Sequence, residues 1–353
     1  MIPQGAIDCD IHPAVPSLKA LLPYMTPHWR DMLTERGVHE LDTITYPMRS
    51  PLSARPDWRP EAGKPGADLA RLQADALDRF GTGLAICNVL YGVTVLFSED
   101  MAAAVASAIN DWMAREWLDR DPRLRASIVV PVQNPEMAAA EIDRCAADPR
   151  FVQVLLPALG DAPLGKRQHW PIFAAAERHG LPLGLHAGSS YRHPVTPVGW
   201  GSYHTEDYVN QAQGMQTQLT SLLCEGVFGR FPKLRVVMIE SGFTWLPSWL
   251  WRVHKYWRGL RMEIPWVDRP PPEIIRDQVR FTLQPIDAPG TEELLRVIEH
   301  VGSDELLLFS TDYPHWQFDG DAALPDDLPA ALARKIALEN PRATYPRLQE
   351  VMA

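Results

Sequence analysis

The chain has 353 residues, 46% hydrophobic and 22% charged, a composition that supports a large apolar core. Its formal net charge of −10 excludes a general nucleic-acid binder, which needs a basic surface to displace counterions, and an electrostatically anchored membrane protein. No apolar run approaches the ~18 residues of a membrane span, and the four scattered cysteines match neither a disulfide framework nor a zinc knuckle. The opening residues, MIPQGAIDCDIHP, lack the features of a secretory signal. A cytoplasmic protein with free thiols is the expectation.

Short apolar runs rich in β-branched residues alternate with helical patterns. The first predicted strand covers residues 6–10 and is followed by an excursion rich in proline, arginine and aspartate over 43–66. Leu69, Leu72, Leu77 and Phe80 then mark a helical face, and the second strand is predicted at 84–90. Met101, Val105, Ile109 and Trp112 line the next helix, ahead of a third strand at 125–130. Asn134 before Pro135 reads as an N-cap and first helical residue. The fourth strand is predicted at 151–156. A helical pattern over 170–179 stops at Gly180, and the fifth strand follows at 182–186. A glycine- and aromatic-rich excursion occupies 187–210, and the last three strands are predicted at 235–240, 279–283 and 306–310.

Eight strands alternating with helices imply a parallel sheet covered by helices. The expected fold is α/β, a (β/α)8 TIM barrel forming a single domain over residues 1–353, with long loop insertions after strands 1 and 5. An open doubly wound sheet is the rival, but no glycine-rich fingerprint follows the first strand. In a barrel the chemistry sits at the C-terminal ends of the strands.

Three of those ends carry metal-type donors. Strict alternation places Asp8, Asp10 and His12 on one face of the first strand. The fifth apolar run ends in His186 and the eighth in Asp312. A lone histidine or Asp-x-His at a strand end is commonly a cap or a hydrogen-bonded structural residue. Their joint placement on strands one, five and eight points to one cation site with Asp10, His12, His186 and Asp312 as ligands. One divalent metal ion is expected there, zinc first, with manganese and iron compatible with the same donors.

The segments IDCDIHP, LPLGLHAG, FPKLRVVMIESGFTWLPSWLWRVHKYW, LLFSTDYPH and ALENPRATY span nearly the whole chain. They resemble the amidohydrolase superfamily, in particular the amidohydrolase-related branch that includes aminocarboxymuconate semialdehyde decarboxylase and the dihydroxybenzoate decarboxylases. The resemblance implies His186 and Asp312 as the fifth- and eighth-strand ligands. The first-strand pair, commonly His-x-His or Glu-x-His, is here Asp10-x-His12. The fourth strand, FVQVLLP, lacks the lysine that bridges two metals in binuclear members, so a single metal is implied. Where relatives usually carry a histidine at the end of the sixth strand, this chain has Glu240, which could be an acid/base, a metal ligand or a structural carboxylate.

Asp312 and Glu240 are the expected catalytic residues, the first taking a proton from metal-activated water and the second delivering one. The leading functional expectation is a hydrolase of a small amide, ester or lactone. The first alternative is non-oxidative decarboxylation of an unsaturated or aromatic acid, and the second is a barrel without catalysis that serves as a binding protein. His315, Arg49, His193 and His204 are candidate substrate-binding residues, with Arg55 a further candidate for pairing a substrate carboxylate. The expected partners are a small-molecule substrate and, from the apolar helix at 245–257, a second copy in a homo-oligomer. Neither nucleic acid nor membrane is expected.

Overall fold

The computed structural model describes residues 1–41, 54–188, 193–315 and 323–350. Eight parallel strands follow one another around a single sheet: β1 (Ala6–Ile11), β2 (Thr82–Cys87), β3 (Leu124–Val129), β4 (Phe151–Pro157), β5 (Leu183–His186), β6 (Val236–Ile239), β7 (Val279–Thr282) and β8 (Leu307–Leu308). The ring closes between β8 and β1. The N–H of Cys9 donates to the Phe309 carbonyl (2.9 Å), that of Asp312 to Asp10 (3.0 Å) and that of His12 to Tyr313 (2.7 Å). This is the expected (β/α)8 barrel, with every predicted strand in its predicted order.

The near-continuous apolar character of the strands follows from burial on both faces. One cluster joins Ile7, Cys9, Ile86, Val152, Leu155, Val237, Ile239 and Leu308; residues of strands this far apart around the ring meet only inside it. Ile11, Ala85, Cys87, Val154, Leu156, Leu185 and Phe281 face the helical layer instead. Helix Glu99–Met113 buries Val105, Ile109 and Trp112 there. Helix Pro135–Cys145 starts as its sequence implies, with the Asn134 side chain accepting from the Met137 N–H at 3.0 Å. Helix Trp170–Arg178 is followed by Gly180 in the left-handed region, at φ 64°.

The second excursion is shorter than expected. Helix His204–Cys224 begins inside it, because Glu206 reaches back to accept from the N–H groups of Ser202 (2.7 Å) and Tyr203 (2.8 Å), the reciprocal half of a capping box. Of the first excursion, residues 43–53 lie outside the described residues. The remainder returns over the strand ends, where Ala54 pairs with His315 and the Arg55 N–H donates to the Pro314 carbonyl at 3.0 Å. Gly66, at φ 79°, lies so close beneath β1 that a Cβ would stand 2.3 Å from the His12 carbonyl oxygen; only glycine fits.

The opposite end of the barrel is closed by the segment that follows β8. Tyr345 and Leu348 enter the interior cluster. Arg347 fastens them by donating to the carbonyls of Phe151 (2.8 Å) and Ala146 (2.7 Å). On the outside, helix Leu246–Leu260 buries Trp249 and Leu250 and leaves Trp251 and Leu260 exposed. Among the described residues no helix is long and apolar enough to cross a membrane.

Candidate metal centre

Strand β1 does not alternate strictly. Its register against β2 shifts between Asp8 and Ile11, an irregularity of the kind that re-aims side chains beside active sites. Ile7 and Cys9 pack inside the barrel, and the shift that follows separates Asp8 from Asp10 and His12, which alternation would have put on one face. Instead Asp8 accepts from the hydroxyl (2.6 Å) and N–H (3.0 Å) of Thr311, and burial pushes its carboxyl pKa up to about 7. It fastens β8 to β1 and stands apart from the cluster above it.

Asp10 and His12 do converge with the residues expected from other strands. Around His12 Nε2 lie Asp312 Oδ1 at 3.0 Å, Asp10 Oδ1 at 3.1 Å, Glu240 Oε1 at 3.2 Å and His186 Nε2 at 3.4 Å. His186 Nε2 is also 3.0 Å from Glu240 Oε1. The donors form two overlapping groups, Asp10–His12–His186–Glu240 and His12–Glu240–Asp312–His315. His12 and Glu240 belong to both groups, so Glu240 lies among the donors, one of the three roles the sequence left open for it.

Both ring orientations are set by backbone carbonyls. His12 Nδ1 donates to the Asn88 carbonyl at 2.9 Å and His186 Nδ1 to that of Ala187 at 2.5 Å. With Nδ1 carrying the proton, each Nε2 presents a lone pair to the centre, the arrangement found in metal-ligating histidines. The donor chemistry fits a divalent cation. Spacings of 3.0–3.4 Å are those of atoms sharing one ion through bonds of about 2.1 Å. In addition, Asp10 Oδ2 and Glu240 Oε1 are buried without a hydrogen-bond partner, an expensive condition that a cation relieves.

The electrostatics carry the same message. Burial disfavours the His12 imidazolium, yet Asp10, Asp312 and Glu240 outweigh it and hold the pKa well above its ordinary value. Burial likewise opposes ionisation of Glu240, but His186, His12 and His315 hold that carboxyl well below the usual range. Asp312 is raised, by burial first and then by Glu240. Three carboxylates packed this closely need positive charge among them, supplied by protons or by a metal.

Two of these carboxylates also sit on unusual backbone. Glu240 (φ 51°) and Asp312 (φ 59°) are left-handed, a conformation that costs a non-glycine residue of order 1 kcal/mol or more and gathers at functional sites. The Glu240 N–H is held there by the Thr282 hydroxyl at 3.0 Å.

His315 joins the centre as expected of a pocket residue. Its Nδ1 lies 2.9 Å from Asp312 Oδ1, and its ring stacks on His12 at 4.4 Å. Burial works against its imidazolium, but Asp312 outweighs that and lifts the pKa to about 9. The other candidates are not among these clustered donors. His193 pairs with Asp161 at 3.1 Å, and His204 opens its helix with its ring edge-on to Tyr208. Arg55 bonds Asp57 at 2.6 Å and lies over the Trp58 ring. Arg49 falls outside the described residues. One participant escaped sequence reading: Asn88, just beyond β2, donates from Nδ2 to Asp10 Oδ1 at 2.8 Å while its carbonyl orients His12.

Comparison with known proteins agrees with this architecture. The family model described as Amidohydrolase matches residues 7–347. The chain is 25% identical over 283 residues to gamma-resorcylate decarboxylase of Polaromonas sp. strain JS666, covering 74% of this chain and 82% of that protein. It is 26% identical over 246 residues to the enzyme of the same name from Rhodococcus jostii, covering 63% and 70%. Among solved structures, 2,6-dihydroxybenzoate decarboxylase from Rhizobium superposes with a TM-score of 0.71 at 20% identity, over 98% of this chain and 99% of that one. A dihydroxybenzoic acid decarboxylase from Polaromonas sp. JS666, solved with manganese and the inhibitor 2-nitroresorcinol, superposes with a TM-score of 0.70 at 20% identity, over 98% and 97%.

Proposed function

The chain belongs to the amidohydrolase family, and from that premise we propose that it is a cation-dependent carboxy-lyase releasing carbon dioxide from a hydroxylated aromatic acid. The observation that carries the reading is the convergence of Asp10, His12, His186, Glu240 and Asp312 at the strand ends, in a chain whose curated relatives are decarboxylases. Those names favour decarboxylation over the hydrolysis of an amide, ester or lactone that the sequence put first, and they leave little for a barrel without catalysis.

Asp10, His12, His186 and Asp312 would hold the cation, with Glu240 as a further donor in place of the family's usual histidine. A divalent ion held there would supply positive charge that polarises substrate oxygens. Zinc is the expectation from sequence; a solved relative holds manganese, and imidazole nitrogens with carboxylate oxygens suit either.

Decarboxylation exchanges a carboxylate for a proton. The electron pair of the breaking carbon–carbon bond stays on the ring carbon, the proton takes its place there, and carbon dioxide departs. Asp312, fully buried and 3.0 Å from His12, would deliver that proton. His315, its side chain 21% exposed and bonded to Asp312, is placed to replace the proton from solvent.

The test is to strip the protein of metal, restore manganese or zinc, and incubate it with 2,6-dihydroxybenzoate and related hydroxybenzoates in deuterated water. The expected result is carbon dioxide and a phenol carrying deuterium at the vacated carbon, dependent on the metal. Turnover of esters or lactones with no carbon dioxide from any hydroxybenzoate would return the reading to hydrolysis.

A further inference from the structure

We propose that a buried hydrogen-bond chain through the barrel makes Tyr345, at the opposite end from the metal centre, a positioning residue for Asp10 and hence for cation binding. The inference rests on the metal-site reading above. The Tyr345 hydroxyl donates to Gln153 Oε1 at 3.0 Å. Gln153 Nε2 donates to Ser127 Oγ at 2.8 Å, Ser127 Oγ to Asn88 Oδ1 at 2.6 Å, and Asn88 Nδ2 to Asp10 Oδ1 at 2.8 Å. Tyr345, Gln153, Asn88 and Asp10 are all 0% exposed, and Ser127 is 1% exposed.

The direction of every bond is fixed by the one after it. A carboxylate that ligates a cation only accepts, so Asn88 must turn its amide nitrogen to Asp10 and its oxygen to Ser127. Ser127 must then spend its single proton on Asn88 and receive from Gln153 Nε2. That leaves the Gln153 oxygen for Tyr345, which must donate. All donors therefore point toward the metal centre, and in a dry interior such a row polarises cooperatively. Its output is double at Asn88, whose side chain holds Asp10 and whose carbonyl holds His12 Nδ1. The first-strand pair is thus aimed by one residue that is itself held from below.

The surroundings are shaped to keep the chain in place. On β5, two residues before His186, a Cβ on Gly184 would stand 2.5 Å from Gln153 Nε2; the glycine makes room for the glutamine. At the far end, Arg347 clamps the Tyr345 segment to the Phe151 carbonyl at the start of β4, the strand that carries Gln153.

The experiment compares the full chain with Tyr345→Phe, Asn88→Ala and Leu348→Ala. Leu348 shares the interior cluster with Tyr345 but takes no part in the hydrogen bonds. Manganese affinity is measured by competition with a chelator, the electronic spectrum of bound cobalt(II) reports ligand geometry, and thermal unfolding reports stability. Outer partners of metal ligands carry about 10–100-fold in affinity, the loss expected for Asn88→Ala. Tyr345→Phe, three bonds further out, is expected to lose roughly 3–10-fold and to shift the cobalt spectrum. Leu348→Ala should lower the unfolding temperature while leaving affinity and spectrum at parent values. Parent-like affinity and spectrum in Tyr345→Phe would overturn the inference and leave the metal site standing, as would equal losses in Tyr345→Phe and Leu348→Ala. A parent chain that binds neither manganese nor cobalt would remove the metal-site reading and this inference together.

Discussion

Replacing Glu240 separates the stability of the fold from the needs of its site. The residue holds φ 51°, where an L side chain crowds its own backbone, and its carboxylate sits among three imidazoles. Glu240→Ala removes the carboxylate and keeps the Cβ; Glu240→Gly removes both. The difference between the two variants therefore isolates the backbone. Left-handed geometry costs an alanine about 1–2 kcal/mol, and the extra unfolded-state freedom of glycine returns about 0.4–1 kcal/mol in the other direction. The glycine variant should be the more stable by about 1 kcal/mol. For 353 residues that is roughly 1–2 °C in unfolding temperature. Urea midpoints or calorimetry with a chelator present, so that cation binding does not enter, would measure it. Neither variant should retain parent activity. An alanine variant as stable as the glycine variant would refute the reasoning, since φ would then be relaxing at no cost.

Other expectations follow from the same geometry. His186→Ala and Asp312→Ala should each lose most bound cation by elemental analysis. Adding cation to the parent at a hundredfold over its dissociation constant should stabilise the fold by about 2.7 kcal/mol, an upward shift in unfolding temperature that neither variant reproduces. Gly184→Ala should displace Gln153 and weaken manganese binding, although the backbone there has ordinary dihedrals; unchanged affinity would show that the glutamine relocates freely. Away from the site, Glu141 accepts from Asn110, Ser107 and Arg144. Burial opposes its ionisation, but Arg144 leads these partners in holding its pKa below the ordinary value. A depressed carboxyl contributes stability above its unfolded pKa and loses it as the pH falls through the folded one. The stability gap between parent and Glu141→Gln should accordingly close below about pH 4.3, and urea midpoints at neutral and acid pH that stay equally far apart would contradict it.

The barrel was legible in the sequence because burial on both faces writes each strand as an apolar run, and a polar residue ending such a run marks the active face. That rule found His186, Asp312 and Glu240. It missed Asn88, because the apolar run continues past it through Val89, Leu90 and Tyr91, and only the structure ends β2 at Cys87. Gln153 was hidden differently. A polar residue inside FVQVLLP has meaning only through partners on other strands and beyond β8, at sequence separations of 26 and 192 residues. Asp8 was misplaced because period-two reasoning assumes an unbroken register, and β1 slips against β2 between Asp8 and Ile11. The start of the helix at His204 depends on Glu206 reaching back to two amides, a capping signal masked by the glycine- and aromatic-rich residues before it. Backbone conformation at Glu240 left no local mark, since glutamate does not ordinarily announce a left-handed turn; aspartate visits that region more readily, but one aspartate at a strand end is too common a signal to mark Asp312.

Tyr345 lies beyond the eighth strand, and that position has a consequence for how the protein is made. The eight strands, and with them Asp10, His12, His186, Glu240 and Asp312, all precede residues 340–348 in the order of synthesis. Until they emerge, the floor of the barrel lacks Tyr345 and Leu348, and Gln153 Oε1 lacks its donor. The floor of the barrel is therefore the last part of it that synthesis supplies. Proteolytic removal of residues 345–348 would leave every residue of the donor cluster in the chain and take away the Tyr345 donor and the Arg347 clamp.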